Sequence, residues 1–299
     1  MEDTTSTIYS FVCGIFEECL SRDMKTSQEI LPIFGVILPH VFGVLDQTQE
    51  QIILIRDVCT IIVIALQCDI SIVSKAIVKQ FMDKLQIIGY LVEVPDSQIQ
   101  FHAFEILRRM QKYIPEETMK MILPLQLWQQ WPRLLKPSTF LEEVRLILND
   151  YNSIRTVHHG KTAVFSLMAV YSVTSSAGSN NKINLNLGWF DVGLCSIQCT
   201  ADLKNGQKHQ QMVFFFKNIR DAKFITDSCV VTLQFHCVSV ELSNFVQTTY
   251  GIETDEKAIH HLTIKFKIDS EKSVTAFSSE FLDRCRLSPS FVHTAGSYS

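Results

Sequence analysis

The apolar residues of this 299-residue chain change their spacing near residue 157, and no other feature restricts the fold as much. Before that point Ile8, Phe11, Val12, Ile15, Phe16 and Cys19 step by three and four, the rhythm of a helix with one buried face. Thr and Ser in "DTTST" offer N-cap oxygens ahead of it. The same rhythm predicts helices from Ser27, from Thr48, from Asp69, and over residues 97–113, 116–131 and 138–149. "VPDSQ" and "KPSTFLEE" place Pro, Ser, Thr or Asp just before apolar runs, where helices start. The helices from Thr48 and Asp69 are apolar on more than one face, so each must lie between neighbours, as in a stacked helical array. No repeat of fixed period is visible, which keeps an irregular helical bundle as the second reading.

After residue 157 the grammar is that of strands. "TAVFSLMAVYSV", "INLNLGWFDVGLCSIQC", "HQQMVFFFKN", "CVVTLQFHCVSVEL" and "HHLTIKFKI" are β-branched and aromatic, and turn-prone "TSSAGSNNK", "ADLKNGQ", "IRDAK" and "GIETDEK" separate them. Helical spacing returns in "SEKSVTAFSSEFLDRC" through Val274, Phe277, Phe281 and Leu282. Strands followed by one helix predict a small capped barrel of the pleckstrin-homology-like kind. Within "LNLGWFDVGLCSIQC", Gly188 and Gly193 permit a bulge or tight corner, Trp189 is a large core or rim aromatic, and Asp191 accepts backbone hydrogen bonds at the bend. The fold class expected is therefore α+β: an armadillo-like helical domain over residues 1–152, a pleckstrin-homology-like β domain over 153–290, and a tail over 291–299.

Composition narrows the chemistry. With 46% hydrophobic and 19% charged residues the chain has the apolar content of an ordered globular protein. Nine cysteines, scattered among apolar runs, read as reduced thiols of cytosol or nucleus rather than a disulfide framework. "MEDTTSTIYS" has no basic n-region, and the apolar run Ile30 to Leu45 is shorter than a bilayer span and holds two prolines, so neither a signal peptide nor a membrane helix is expected. Lys and Arg number 13 against 19 Asp and Glu in residues 1–150, and 14 against 12 in residues 151–299, or −6 and +2. Bulk charge gives no support for strong nucleic-acid affinity.

No phosphate loop, GxGxxG, GxSxG or HExxH occurs, and no residue is assigned to catalysis, to a cofactor or to a metal. His158-His159 and His260-His261 are placed at strand starts, where adjacent side chains diverge. Cys195 and Cys199 share a strand face, with His209, His236 and Cys237 further on, but no CxxC spacing accompanies them, and core packing is the plainer role. Trp128 and Trp131 in "LWQQWPR" step by three and are expected to pack between helices, with a peptide groove as the alternative. The candidate partner-binding residues are Lys204, Lys208, Lys217, Arg220 and Lys223, gathered in two predicted loops either side of "MVFFF", which could meet an acidic peptide, a histone surface or a phosphate.

The order of domains, with "TAVFSLMAVYSV", "LGWFDVGLCSIQC" and "VVTLQFHCVSVELSNFVQTTYG", resembles the N-terminal region of the synaptonemal complex protein 2 family, lateral-element proteins of meiotic chromosomes. In that family an armadillo-like domain precedes a pleckstrin-homology-like domain similar to the middle domain of the large FACT subunit. The resemblance covers some 90 residues and carries no catalytic signature. The helical part is shorter than the family's, and the coiled-coil tail is missing. What the resemblance implies is a non-enzymatic scaffold of the nucleus and chromosome that docks other axis, cohesin or centromere-associated proteins, with direct DNA or histone contact open and homo-oligomerisation allowed. The alternative is a cytoplasmic adaptor whose basic loops bind peptides or phosphoinositides. An enzyme with a cysteine-based site in the β domain is the third reading.

Overall fold

The computed structural model describes residues 52–68, 85–135, 140–159, 164–175, 183–194, 196–201, 210–216, 219–236 and 261–285. The helices expected near the N-terminus, from Ser27 and from Asp69 to residue 84 lie outside these, as does the tail over 291–299. Two compact units, Met1–His158 and His159–Ser299, make up the chain. The first is helical and the second is an antiparallel sheet with one helix, so the class is α+β.

Six α-helices are described in the first unit: α1 Ile52–Cys68, α2 Leu85–Leu91, α3 Ser97–Met110, α4 Glu116–Ile122, α5 Leu125–Gln130 and α6 Phe140–His159. Short 3-10 turns, Gln111–Tyr113 and Trp131–Leu135, extend α3 and α5. The helix expected over 116–131 is two, because Pro124 has no N–H to donate and its ring crowds the preceding turn. The helix expected to stop at 149 runs ten residues further, to His159. "NDYNSIRTVHH" is poor in strong helix formers, and tertiary contacts hold it: Tyr151 and Asn152 are buried.

Those contacts are specific. Gln100 of α3 and Asn152 of α6 exchange two side-chain hydrogen bonds, at 3.0 and 2.8 Å, and Gln100 Nε2 also donates to the Val92 carbonyl at 2.8 Å. Arg155 donates to the Glu93 carbonyl at 2.9 Å, and Tyr151 donates to the Glu93 carboxylate at 3.3 Å. The turn ahead of α3 is thereby bound to the last helix. Phe104 stacks on Trp131 at 6.1 Å, which places that tryptophan in the core as expected, whereas Trp128 stays half-exposed beside Lys120. Gly89 sits so close to α4 that a Cβ there would overlap the carbonyl oxygen of Ile122.

The second unit has β1 Phe165–Ser175, β2 Ile183–Val192, β3 Ser196–Ala201, β4 Gln210–Phe215, β5 Ile219–Ile225, β6 Val230–His236, β7 His261–Ile268 and helix α7 Glu271–Cys285. All neighbours are antiparallel, in the order β4-β3-β2-β1-β7-β6-β5. "LNLGWFDVGLCSIQC" is a hairpin, β2 to β3, closed by a Gly193 N–H to Ser196 carbonyl bond of 2.9 Å, and Gly188 lies in the middle of β2 opposite Ala169. "IRDAK", expected to be a turn, is most of β5: half-buried Ala222 and Phe224 alternate with exposed Lys223 and Ile225, a pattern suited to an edge strand.

The closed barrel expected from the sequence is instead a curled sheet, because no pairing joins β4 to β5 among the described residues. The two are the outermost strands, and about 29 Å would separate them in a flat sheet of this order, at ~4.8 Å per strand. Ile219 follows Phe215 by only four residues, a reach of at most about 14 Å. The sheet must therefore bend until its edges approach. The corner after β4 is marked by Phe216, which is fully buried and meets Phe281 of α7 edge-on at 5.7 Å. Phe165, Phe190, Val192, Ile197, Phe214, Val231, Leu233 and Ile268 line the concave face, and α7 packs there through Phe277 and Phe281. Trp189 belongs to the other face and is half-exposed. Phe190→Ala should cost about 3–5 kcal/mol and Trp189→Ala clearly less, as read by denaturant unfolding of the second unit. Gly89→Ala should destabilise the first unit, the overlap with Ile122 outweighing the roughly 0.5–1 kcal/mol that alanine gains over glycine in a helix, and an unchanged unfolding midpoint would contradict that contact.

Candidate functional site

Two arrangements could carry chemistry: a buried cluster in the first unit and an exposed face in the second. In the cluster, Asp96 accepts Nε of Arg56 at 2.9 Å, and Arg56 Nη2 closes an ion pair on the same oxygen. The other Asp96 oxygen accepts the Ile99 N–H at 3.0 Å and caps α3. Both side chains are almost wholly buried. Thr60 donates to the Arg56 carbonyl at 2.9 Å, and His102 Nε2 lies 3.3 Å from the Thr60 hydroxyl and 3.4 Å from Gln98 Nε2.

Cys59, His102 and Asp96 are the residue types of a nucleophilic site, yet the electrostatics are wrong for one. Burial and the Asp96 charge push the Cys59 thiol far up, so no thiolate forms at neutral pH. Burial lowers the His102 pKa from 6.5 to about 4. The Asp96 and Glu105 charges raise it and Arg56 lowers it, and burial outweighs them. Cys59 is fully buried, so substrate has no access to it. The cluster is a structural lock between α1 and α3.

The histidine and cysteine expectations resolve in part. His158 and His159 end α6 and do not start a strand, because helix α6 continues through them. His261 opens β7 and pairs with His236 at the end of β6. Cys199 lies in β3, whereas Cys195, His209, Cys237 and His260 fall outside the described residues. Among the described residues no group of three or more ligating side chains could hold a metal ion.

The convex face of the second unit is different. On β5, β6 and β7, Lys223 lies opposite Thr232, and Thr232 opposite Lys265; one step along, Ile225 lies opposite Val230 and Val230 opposite Lys267. Directly opposed residues share a face, so Lys223, Lys265 and Lys267 stand together. Lys223 and Lys265 are two strand spacings apart, about 10 Å, and Lys265 and Lys267 about 7 Å. All three are exposed, as is Gln234 beside them. Asp221 occupies the next position of the same row. Toward β3 the face is buried and polar: Asp191 accepts the Ser166 hydroxyl at 2.7 Å, and Gln198 opposite it is also buried. Asp191 thus sits within a strand, where its neighbours are side chains across the sheet, and not at a bend.

Of the five expected partner-binding residues, Lys204, Lys208 and Lys217 lie outside the described residues. Arg220 and Lys223 occupy strand β5, not a loop, and Arg220 falls where the β5–β6 register shifts. Lys265 and Lys267 were missed, although "TIKFKI" carries the signal: apolar Ile264, Phe266 and Ile268 alternate with two lysines, which fixes a basic face. The pairing that sets them beside Lys223 has no local sequence signature. No family model matches the chain, and no curated protein matches it.

The ordinary neutral form of His102 is the stabilising one. Above about pH 6.5 both folded and unfolded rings are neutral and stability is complete; between 6.5 and about 4 the unfolded ring takes up a proton that the folded ring does not, and stability falls. His102→Gln should flatten that part of the pH profile of first-unit unfolding. Lys223→Glu combined with Lys265→Glu and Lys267→Glu should leave the melting temperature nearly unchanged while abolishing retention on an anionic resin, since exposed charges contribute little to folding.

Proposed function

We propose that the chain is a non-enzymatic interaction module of the meiotic chromosome axis, working in the nucleus by docking axis, cohesin or centromere-associated proteins. In this reading the helical unit is armadillo-like, and the sheet with α7 is pleckstrin-homology-like, similar to the middle domain of the large FACT subunit. The observation that carries it is the order of parts. A helical unit precedes a strongly bent antiparallel sheet of seven described strands, and helix α7 after the last of them fills the concave face. Support also comes from where the polar chemistry lies: the buried Cys59 and Asp96 and the half-buried His102 serve packing, while the exposed charge forms a face suited to binding. A basic convex face meets acidic protein surfaces without a dedicated pocket.

The three lysines also favour a second reading, a cytoplasmic adaptor that holds phosphoinositide headgroups on the same face. Capture from germline nuclear extract with the whole chain as bait separates the two. Cohesin or axis proteins should be recovered by the chain and lost by the variant with Lys223, Lys265 and Lys267 reversed to Glu. Recovery of membrane-coat or signalling proteins, together with co-sedimentation on phosphoinositide vesicles, would replace the axis reading by the adaptor.

A further inference from the structure

We propose that the outer edge of β5 accepts an extended acidic segment of a partner protein as an eighth strand. The inference deepens the docking role above by naming where and how the partner binds. β5 is a terminal strand of the sheet, paired with β6 alone among the described residues, so the N–H and C=O groups along its other side point away from the ladder. The bend of the sheet does not cover that side by strand pairing, since no β4–β5 pairing is present among the described residues.

Side chains on both faces of the strand ask for a neighbour. On the concave face Phe224 contacts Phe277 and Phe281 at 6.3 and 5.7 Å, yet Phe224 and Ala222 are only partly buried, so the apolar row ends half-covered at this edge. On the convex face Ile225 is 38% exposed. Lys223 is exposed between them, with Lys265 and Lys267 behind it on the same face. An added strand would set one residue against Phe224 within the apolar row and its two flanking residues against Lys223 and Ile225 on the other face. The complementary segment alternates: apolar residues inward, and outward an acidic residue against Lys223, an apolar one against Ile225 and an uncharged one at the Asp221 position.

Lysine in the middle of an edge strand normally repels association, because its charge is buried by any neutral strand laid beside it. An acidic strand removes that penalty, and a basic one doubles it, so the same residue selects the partner. The register shift between Ile219 and Asp221 ends regular pairing at one side, and the turn that follows Ile225 ends it at the other, with Cys229 donating to the Thr226 carbonyl at 2.9 Å. The docked stretch is therefore the five residues from Asp221 to Ile225.

Three fluorescent ten-residue peptides test this on the full chain by anisotropy: Glu alternating with Val and Thr, the same with Lys for Glu, and the Glu peptide with a central proline. The Glu peptide should bind at least about tenfold tighter than the Lys peptide, an order typical of one well-placed charge pair. Hydrogen exchange should slow over residues 219–225, the proline peptide should lose binding because it lacks a ladder N–H, and Lys223→Glu should invert the preference. Failure of the Glu peptide to bind, protection confined to other strands, or equal binding of the proline peptide would overturn the proposal. Binding as expected, from a chain that captures no chromosome protein, would support the edge site and remove the axis reading alone.

Discussion

Two phenylalanines of one helix hold the second unit in its shape. Phe277 reaches Phe165 of the central strand at 6.4 Å and Phe224 of the edge strand at 6.3 Å, while Phe281 meets Phe224 and the corner residue Phe216, both at 5.7 Å. The pair stack on each other at 5.9 Å, one helical turn apart. A single helix face thus touches the middle, the corner and the rim of the sheet. Without it the short link from β4 to β5 would still force the sheet to bend, but nothing described would fill the concave face. The end of the same helix is fixed by Arg284, wholly buried, which donates to the Val192 carbonyl at 3.0 Å and binds Glu280 at 3.0 and 3.2 Å. Burial lowers its pKa, and Glu280 offsets this in part.

The first unit solves its packing differently. Its helices are mostly short, and polar pairs set their register: Arg56 with Asp96 between α1 and α3, Gln100 with Asn152 between α3 and α6. Buried amides and ions stabilise little compared with apolar groups of the same size, yet each tolerates only one geometry. Asp96 does two things at once, since one oxygen caps α3 and the other holds Arg56. The start of α3 is therefore tied to the N-terminal part of α1.

Much of this was legible along the chain. The period of three and four located α1, α3 and the start of α6, and alternation located most strands, because burial writes itself on the nearest residues. What failed was what depends on distant partners. Nothing local in "NDYNSIRTVHH" reveals that Tyr151 and Asn152 are buried against the turn before α3, so periodicity alone ends α6 too early. "IRDAK" has the composition of a turn although it is a strand, since an edge strand needs apolar residues on one face only. For the basic face, Lys223 belongs to a local cluster of basic residues, whereas Lys265 and Lys267 sit 42 and 44 residues later and join it only through the β6 register. Trp189, the most conspicuous aromatic, lies on the half-exposed face, and its plainer neighbour Phe190 is the core residue.

The strand order also says something about time. β1 is flanked by β2, its successor in the chain, and by β7, whose Ile268 pairs with Ala169 almost a hundred residues away. The run from β1 to β4 can zip by successive neighbours, but the central strand acquires its second partner only when nearly the whole unit has been made. Closing a loop of that length carries an entropic cost that no contact repays until the ladder forms. During synthesis on the ribosome the first four strands must therefore wait with one side of β1 open, and α7, last of all, seals the product.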